Sequence, residues 1–320
     1  MKSTARVPEV YAKFAEELVE ASGQVILKYW RKPFEIEDKT HADNRAESSS
    51  PVTIADREAE ATIRRLIAAK YPNHGVIGEE FGPSPCIDFG EKTTMETAEW
   101  QWVLDPIDGT KSFMTGKPVF GTLVALCYRG EPLLGVIDQP ISKERWIGVI
   151  GHGTTLNGIP CKAFSDTNPT LLADALAYAT TPDMFAPGVE AAAFDRLRTA
   201  VKRMLFGCDC YAYALLASNF GPSIVCEADL QTYDYLALVP VVSAAGGIIS
   251  DWNGNPLSLH QTGQGRVLAA STPKLHQQAL AILQQQSITR LVHFPTLRNA
   301  PLLLLATCFG AVLGYSFGRR

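Results

Sequence analysis

Paired cysteines, paired histidines and runs of basic residues are all missing from this 320-residue chain, and each absence removes a class of function. Its 7 cysteines, at positions 86, 127, 161, 208, 210, 226 and 308, contain no C-x-x-C. An odd, scattered set is no disulfide framework, so a reducing, cytoplasmic compartment is expected. The 6 histidines form no H-x-x-x-H pair, which argues against zinc. A net charge of -4 with scattered Lys and Arg leaves no footprint for nucleic acid. No G-x-S-x-G elbow supports a serine nucleophile. Gly151-His152-Gly153 lacks the third glycine of a dinucleotide fingerprint, Leu156 standing in its place. Residues 1–8 have no apolar core, so no secretory signal is expected there.

What is present fits a globular enzyme, since 46% hydrophobic residues suffice for one large domain or two joined ones. Val10, Phe14, Leu18, Ala21, Val25 and Tyr29 recur at helical spacing and Pro33 ends the pattern. Residues 38–50 are polar and Ser-rich and read as a mobile loop. A second helix is expected through Ala59, Ile63, Leu66 and Ile67. Residues 121–128, 133–137 and 145–150 read as antiparallel strands, and Asn157-Gly158 as a hairpin turn. Beyond residue 170 strands alternate with helices, and Asp234 is expected to open a helix that stops at Gly246-Gly247. This divides the chain into an α+β domain over 1–150, an α/β domain over 151–285 and a tail over 286–320. Within the tail, residues 302–317 are an uncharged, mostly apolar run of roughly sixteen residues, just short of the ~17–25 that span a bilayer. Both a marginal membrane anchor and a packed or unstructured tail fit it, and membrane contact is expected only there.

The chemistry concentrates in acids at element ends. The strand Trp102-Val103-Leu104 runs into Asp105-Pro106-Ile107-Asp108-Gly109-Thr110, where two carboxylates can share a divalent cation and Gly109 lets a phosphate approach the backbone. An ordinary strand with an Asp-Gly turn is the competing account. Asp56 stands where a helix begins, and a helix cap is the ordinary reading of an acid in that place, with catalysis the other. Glu79 and Glu80 are adjacent acids behind an apolar run, costly unless neutralised or exposed.

Taken together, Gly78-Glu79-Glu80, Asp105-Pro106-Ile107-Asp108-Gly109-Thr110, Tyr233-Asp234-Tyr235 and Ala244-Ala245-Gly246-Gly247 resemble the inositol monophosphatase-like family of magnesium-dependent phosphatases, over residues 8–284. The resemblance implies a layered αβαβα fold and a homodimer. It implies two or three Mg²⁺ ions held by Glu79, Asp105, Asp108, Asp234 and the carbonyl of Ile107. It makes Asp56 and Thr110 the groups that activate water, and the amides of Gly109 and Thr110 the phosphate cradle. Oxygen-only ligation suits Mg²⁺. Attack of water on a phosphate dianion needs charge neutralisation, a lowered water pKa and a stabilised alkoxide. Two divalent ions about 4 Å apart answer all three.

Residues 111–118, 120–123, 135–140 and 144–148, with Asp209 and Glu227-Ala228-Asp229-Leu230, resemble the histidinol-phosphatase branch. Histidinol phosphate carries an ammonium and an imidazole, which Asp209 and Glu227 would read by charge-assisted hydrogen bonds. Glu79, Gly109, Thr110, Asp209, Glu227 and Asp234 are thus the expected substrate contacts. The competing accounts are a helix cap for Asp209 and a surface acid for Glu227. A broader inositol or sugar phosphatase, and a tethered, catalytically silent binding protein, are the alternative functions. The insert at 41–49 and the apolar tail depart from the family pattern.

Overall fold

Helical periodicity places one apolar stripe on each of two N-terminal helices, α1 (Glu9–Tyr29) and α2 (Ile54–Lys70), and they form the outermost layer. A computed structural model describes residues 7–33, 36–40, 49–84, 98–165 and 168–285. The described residues all belong to one compact unit within Met1–Gln286. The apolar run at 302–317 and most of the 41–49 insert lie outside the described residues. Among those residues no helix is long and apolar enough to cross a membrane.

The segment read as a loop at 38–50 proves partly ordered. Strands β1 (Ile36–Thr40) and β2 (Ser49–Thr53) pair antiparallel just before α2. Their ladder rests on backbone hydrogen bonds, which polar composition does not reveal.

Eight strands among the described residues build the first large sheet: β3 (Gly75–Gly78), β4 (Gly82–Ser84), β5 (Trp100–Asp108), β6 (Gly121–Tyr128), β7 (Glu131–Gln139), β8 (Glu144–Val149), β9 (Gly153–Leu156) and β10 (Ile159–Cys161). The order is β10-β9-β8-β7-β6-β5-β3-β4, antiparallel throughout except for the parallel pair β3/β5. This sheet continues past residue 150 to Cys161. Asn157 and Gly158, with φ of +50° and +79°, make the two-residue turn joining β9 to β10.

A second, mixed sheet contains β11 (Leu176–Ala179), β12 (Arg203–Phe206), β13 (Ile224–Glu227), β14 (Ile248–Ser250) and β15 (Val267–Ala270), in the order β12-β11-β13-β15-β14. The helices around it, α4 (Val189–Ala200), α5 (Asp209–Ala217), α6 (Thr232–Tyr235), α7 (Leu238–Ala244) and α8 (Pro273–Leu283), follow α3 (Thr110–Met114) in the chain. The helix expected to open at Asp234 starts at Thr232 and is divided after Tyr235.

Side-chain alternation along the strands assigns the layers. Trp102, Leu104, Val124 and Leu126 pack with Phe14, Leu18, Ile63 and Ile67 of α1 and α2. Val103, Leu123, Ala125 and Ile137 point the other way, onto Tyr213, Leu216, Val241 and Val242 of α5 and α7 and onto Val225 and Ala269 of the second sheet. Ile224, Cys226, Leu268 and Ala270 then face Phe194, Leu197, Leu275 and Ala279 of α4 and α8. The result is helix, sheet, helix, sheet, helix. Both sheets are buried on both faces, so their central strands read as continuous apolar runs. The five described cysteines, 127, 161, 208, 210 and 226, carry free thiols.

Two glycines seat the middle helical layer. Gly135 and Gly148 are register partners on β7 and β8. A Cβ on Gly135 would lie 2.0 Å from the Ala237 carbonyl oxygen, and one on Gly148 would lie 2.4 Å from Val241 Cα. Both obstacles are backbone and cannot rotate away. Gly148→Ala is therefore expected to cost about 1–3 kcal/mol or more. Equilibrium denaturation checks this, and an unchanged midpoint would remove the seat.

Burial also sets a pH response. His74 stacks on Tyr71 with ring centroids 4.7 Å apart, and its Nδ1 accepts the Trp102 indole N–H at 3.1 Å. Burial lowers its pKa from 6.5 to about 4. Above pH 6.5 neither folded nor unfolded chain is charged here. Below it the unfolded chain takes the proton first, so this contribution to stability is lost between pH 6.5 and about 4. His74→Gln, which can still accept from the indole, should keep the stability that wild type loses over that interval. Thermal melts at pH 7 and 5 compare them; parallel losses would contradict the assignment.

Candidate active site

The motif at the end of β5 works through a backbone irregularity. In a regular strand, residues three apart point to opposite faces. Here Asp105 pairs with Leu123 and Asp108 with Gly121, so three steps on β5 match two on β6. This one-residue bulge turns both carboxylates to the same side. Pro106, which has no N–H for the ladder, lies inside it, and its carbonyl accepts from Thr122 Oγ1 at 2.8 Å. Gly109 follows with φ +87° and opens α3. Its missing side chain also makes room, because a Cβ there would stand 2.7 Å from Asp209 Oδ2.

Asp234 comes from the other half of the chain, on α6, and joins the pair. One oxygen each of Asp105, Asp108 and Asp234 lies within 4.8 Å of the others. Every one of the three is anchored by a backbone amide. Ile107 N–H donates to Asp105 Oδ1 at 3.0 Å, Cys210 N–H to Asp108 Oδ2 at 2.6 Å, and Gln231 N–H to Asp234 Oδ2 at 2.6 Å. Glu79 approaches the same cluster and is in side-chain hydrogen-bond contact with Asp105.

Concentrated acids repel. Burial first, then Glu79, Asp108 and Asp234, push the Asp105 carboxyl well above its usual range. Burial and Asp209 do the same to Asp108, and burial and Asp108 to Asp234. A cation relieves this repulsion, and an all-oxygen donor set suits a hard one such as Mg²⁺. The residues present therefore fit the metal that the sequence implies.

A cavity of about 190 Å³ collects the remaining candidates. Glu79, Asp105, Ile107, Asp108 and Asp234 line one part of it. Gly109, Thr110, Asp209 and Glu227 line it as well. At this volume it suits a small substrate, pockets for drug-sized ligands being roughly 300–1,000 Å³. Asp56 reaches the cavity through Thr110, whose hydroxyl lies 3.5 Å from Asp56 Oδ1 and 3.0 Å from the Ile107 carbonyl. Asp56 Oδ2 accepts from Thr53 N–H at 2.8 Å and Thr53 Oγ1 at 2.5 Å. It therefore is the helix-capping acid of α2 and at the same time a neighbour of the site. Burial raises its pKa to about 6, against the lowering pull of Thr53.

Glu227 is not a surface acid. It is buried at the end of β13, where Oε1 accepts from Thr180 N–H (3.0 Å) and Thr180 Oγ1 (2.6 Å), and Oε2 from Tyr213 OH (2.8 Å). Burial still raises its pKa to about 7. Asp209 opens α5 in a left-handed conformation, φ +43°, following Cys208 at +83°. Rather than capping its own helix, its carboxylate accepts from Ser112 Oγ at 3.0 Å. Its pKa is raised by burial, with Ser112, Lys111 and Lys117 pulling the other way. Thr53, Ser112, Thr180 and Tyr213 are the participants that sequence reasoning missed. Ser112, Thr180 and Tyr213 meet acids 97, 47 and 14 residues away, which no local spacing signals, whereas Thr53 stands three residues before Asp56 in a capping box that is a local pattern.

The geometry has a match among known proteins. The model of the inositol monophosphatase family matches residues 8–288. This chain belongs to that family. Within it, the chain is 47% identical over 279 residues to bifunctional phosphatase IMPL2, chloroplastic, of Arabidopsis thaliana, covering 86% of this chain and 75% of that protein. It is 31% identical over 261 residues to the histidinol-phosphatase of Chlorobaculum parvum, covering 80% and 91% respectively. A solved structure of an inositol monophosphatase from Zymomonas mobilis superposes with a TM-score of 0.71 at 36% identity, covering 87% of this chain and 98% of that one. The fold is the inositol monophosphatase fold, and the protein is a phosphatase of this family, whose substrates are small phosphate esters and whose members are generally Mg²⁺-dependent.

Proposed function

We propose that this family member is a Mg²⁺-dependent histidinol-phosphatase that hydrolyses L-histidinol phosphate to L-histidinol and phosphate, serving histidine biosynthesis as a homodimer in a reducing, cytoplasmic compartment. One observation carries the reading: two acid sets share one small cavity, Asp105, Asp108 and Asp234 beside Asp209 and Glu227. The relatives named histidinol-phosphatase and bifunctional phosphatase lend it further support.

In this reading Glu79, Asp105, Asp108, Asp234 and the Ile107 carbonyl hold the metal. Bound divalent cations supply positive charge against the phosphate and promote ionisation of water. Thr110 Oγ1, set between Ile107 O and Asp56, orients the attacking water, and Asp56 takes up its proton. The amides of Gly109 and Thr110 hold the phosphate. Asp209 and Glu227 receive the ammonium and imidazole of the alcohol. Ser112, Thr180 and Tyr213 keep these two acids in place.

The test is phosphate release from histidinol phosphate against inositol 1-phosphate with Mg²⁺. A clear preference for histidinol phosphate is expected. Asp209→Ala and Glu227→Ala should raise KM for histidinol phosphate roughly 10-fold or more each, since a hydrogen bond to a charged group is worth about 1.5–3 kcal/mol. A preference for inositol 1-phosphate, or an unchanged KM in both variants, would replace this reading with a broader inositol or sugar phosphatase.

A further inference from the structure

The loop that carries Glu79 needs an anchor, because it lies at the rim of the large sheet. Among the described residues β4 is the last strand on that side, and Gly78 pairs with Gly82 across a three-residue turn, Glu79-Glu80-Phe81. Glu79 N–H donates to the Leu104 carbonyl at 3.2 Å. The next two amides go elsewhere: Glu80 N–H donates to Glu60 Oε2 at 2.8 Å and Phe81 N–H to Glu60 Oε1 at 3.3 Å.

Glu60 is on α2, four residues beyond Asp56, and is completely buried. Its charge is met from the other side by Arg64, one turn further on, with Nε 2.7 Å from Oε1. Arg64 also donates to the Gly82 carbonyl and lies 5.9 Å from the centre of the Phe81 ring. The guanidinium thus grips the carboxylate and the far end of the loop together. Gly78 completes the fit, since a Cβ there would be 2.1 Å from Glu60 Oε1. A buried carboxylate is costly unless its partners are well placed. Here two amides and an arginine surround it, all belonging to or touching one short turn.

We propose that Glu60 is a positioning residue for metal binding: fixed by Arg64, it sets the conformation of the Glu79–Phe81 turn and so the point at which Glu79 meets Asp105. The inference rests on the reading of Glu79 as a metal ligand. It also gives α2 a double task, with Asp56 supporting Thr110 and Glu60 supporting Glu79. Glutamine at position 60 keeps the shape but turns an amide NH₂ toward groups that are all donors.

Binding of Mn²⁺ to the metal-free full-length chain, read by the electron paramagnetic resonance of free Mn²⁺, tests this without recourse to turnover. Wild type is compared with Glu60→Gln, Arg64→Met and Glu79→Gln, each with its melting temperature. Glu60→Gln is expected to weaken Mn²⁺ binding roughly 10- to 100-fold, with Arg64→Met weakening it in the same direction. A lower melting temperature with Mn²⁺ affinity unchanged would make Glu60 a packing residue and overturn the proposal. Should Glu60→Gln fail to fold, Arg64→Met decides: weakened Mn²⁺ binding supports the clamp, and wild-type binding overturns it. If Glu79→Gln itself binds Mn²⁺ like wild type, the assignment of Glu79 as a ligand falls, and the role of Glu60 falls with it. Weakened binding in Glu79→Gln alone overturns only the role of Glu60.

Discussion

Asp108→Asn should lower phosphate release by about 10³-fold or more while making the metal-free protein harder to melt. The two effects share one cause. Asp108 is held well above the usual carboxylate range by burial and then by Asp209, and one of its oxygens is anchored by the Cys210 N–H at 2.6 Å. Asparagine can keep that hydrogen bond through its carbonyl oxygen, so the shape survives. What disappears is a carboxyl group whose ionisation burial and its acidic neighbours oppose when no cation is present, and which as a carboxylate binds the cation when one is. The metal-free variant is therefore expected to melt at a higher temperature than wild type, and Mg²⁺ should raise its melting temperature less. Activity and melting curves with and without Mg²⁺ check both halves. Retention of wild-type turnover would remove Asp108 from the metal site, and a lower melting temperature in the metal-free state would contradict the repulsion argument.

Asp56→Asn is expected to lower kcat by roughly 10²- to 10⁴-fold with little change in KM, the range typical of losing a general base. Asp56 stands behind Thr110 and is tied to Thr53 by two hydrogen bonds. Asparagine can accept from Thr53 and hold the start of α2, so the stability cost should stay near the ~1 kcal/mol of a weakened cap. It cannot take up a proton from water through Thr110. Steady-state kinetics at saturating Mg²⁺ test this. A variant that lost KM alone, with kcat intact, would assign Asp56 to binding rather than to proton transfer.

Some of this was legible residue by residue. The periodicity of α1 and α2, the apolar runs of β5 to β8 and the Asn157-Gly158 turn are local patterns, set by 3.6- and 2-residue repeats and by turn chemistry. The acids at the ends of β3 and β5 and at the start of α6 were visible because carboxylates beside apolar strands are conspicuous. Harder to see was the β1/β2 pair, since a polar ladder held by backbone bonds has no apolar signature.

The sequence by itself determined an α+β half followed by an α/β half and the carboxylates available to a metal, because burial patterns and residue chemistry are written locally, while the layered αβαβα order was implied by the resemblance to the family. Only the tertiary structure decided how those carboxylates meet. The bulge that turns Asp105 and Asp108 to one side needs β6 beside it, and Asp234 arrives from the second half of the chain. Glu227 is buried because Thr180 and Tyr213 converge on it, and Glu79 is steadied by Glu60 from a separate helix. These are contacts between residues far apart in the chain, fixed by close packing of layers, and no local spacing encodes them.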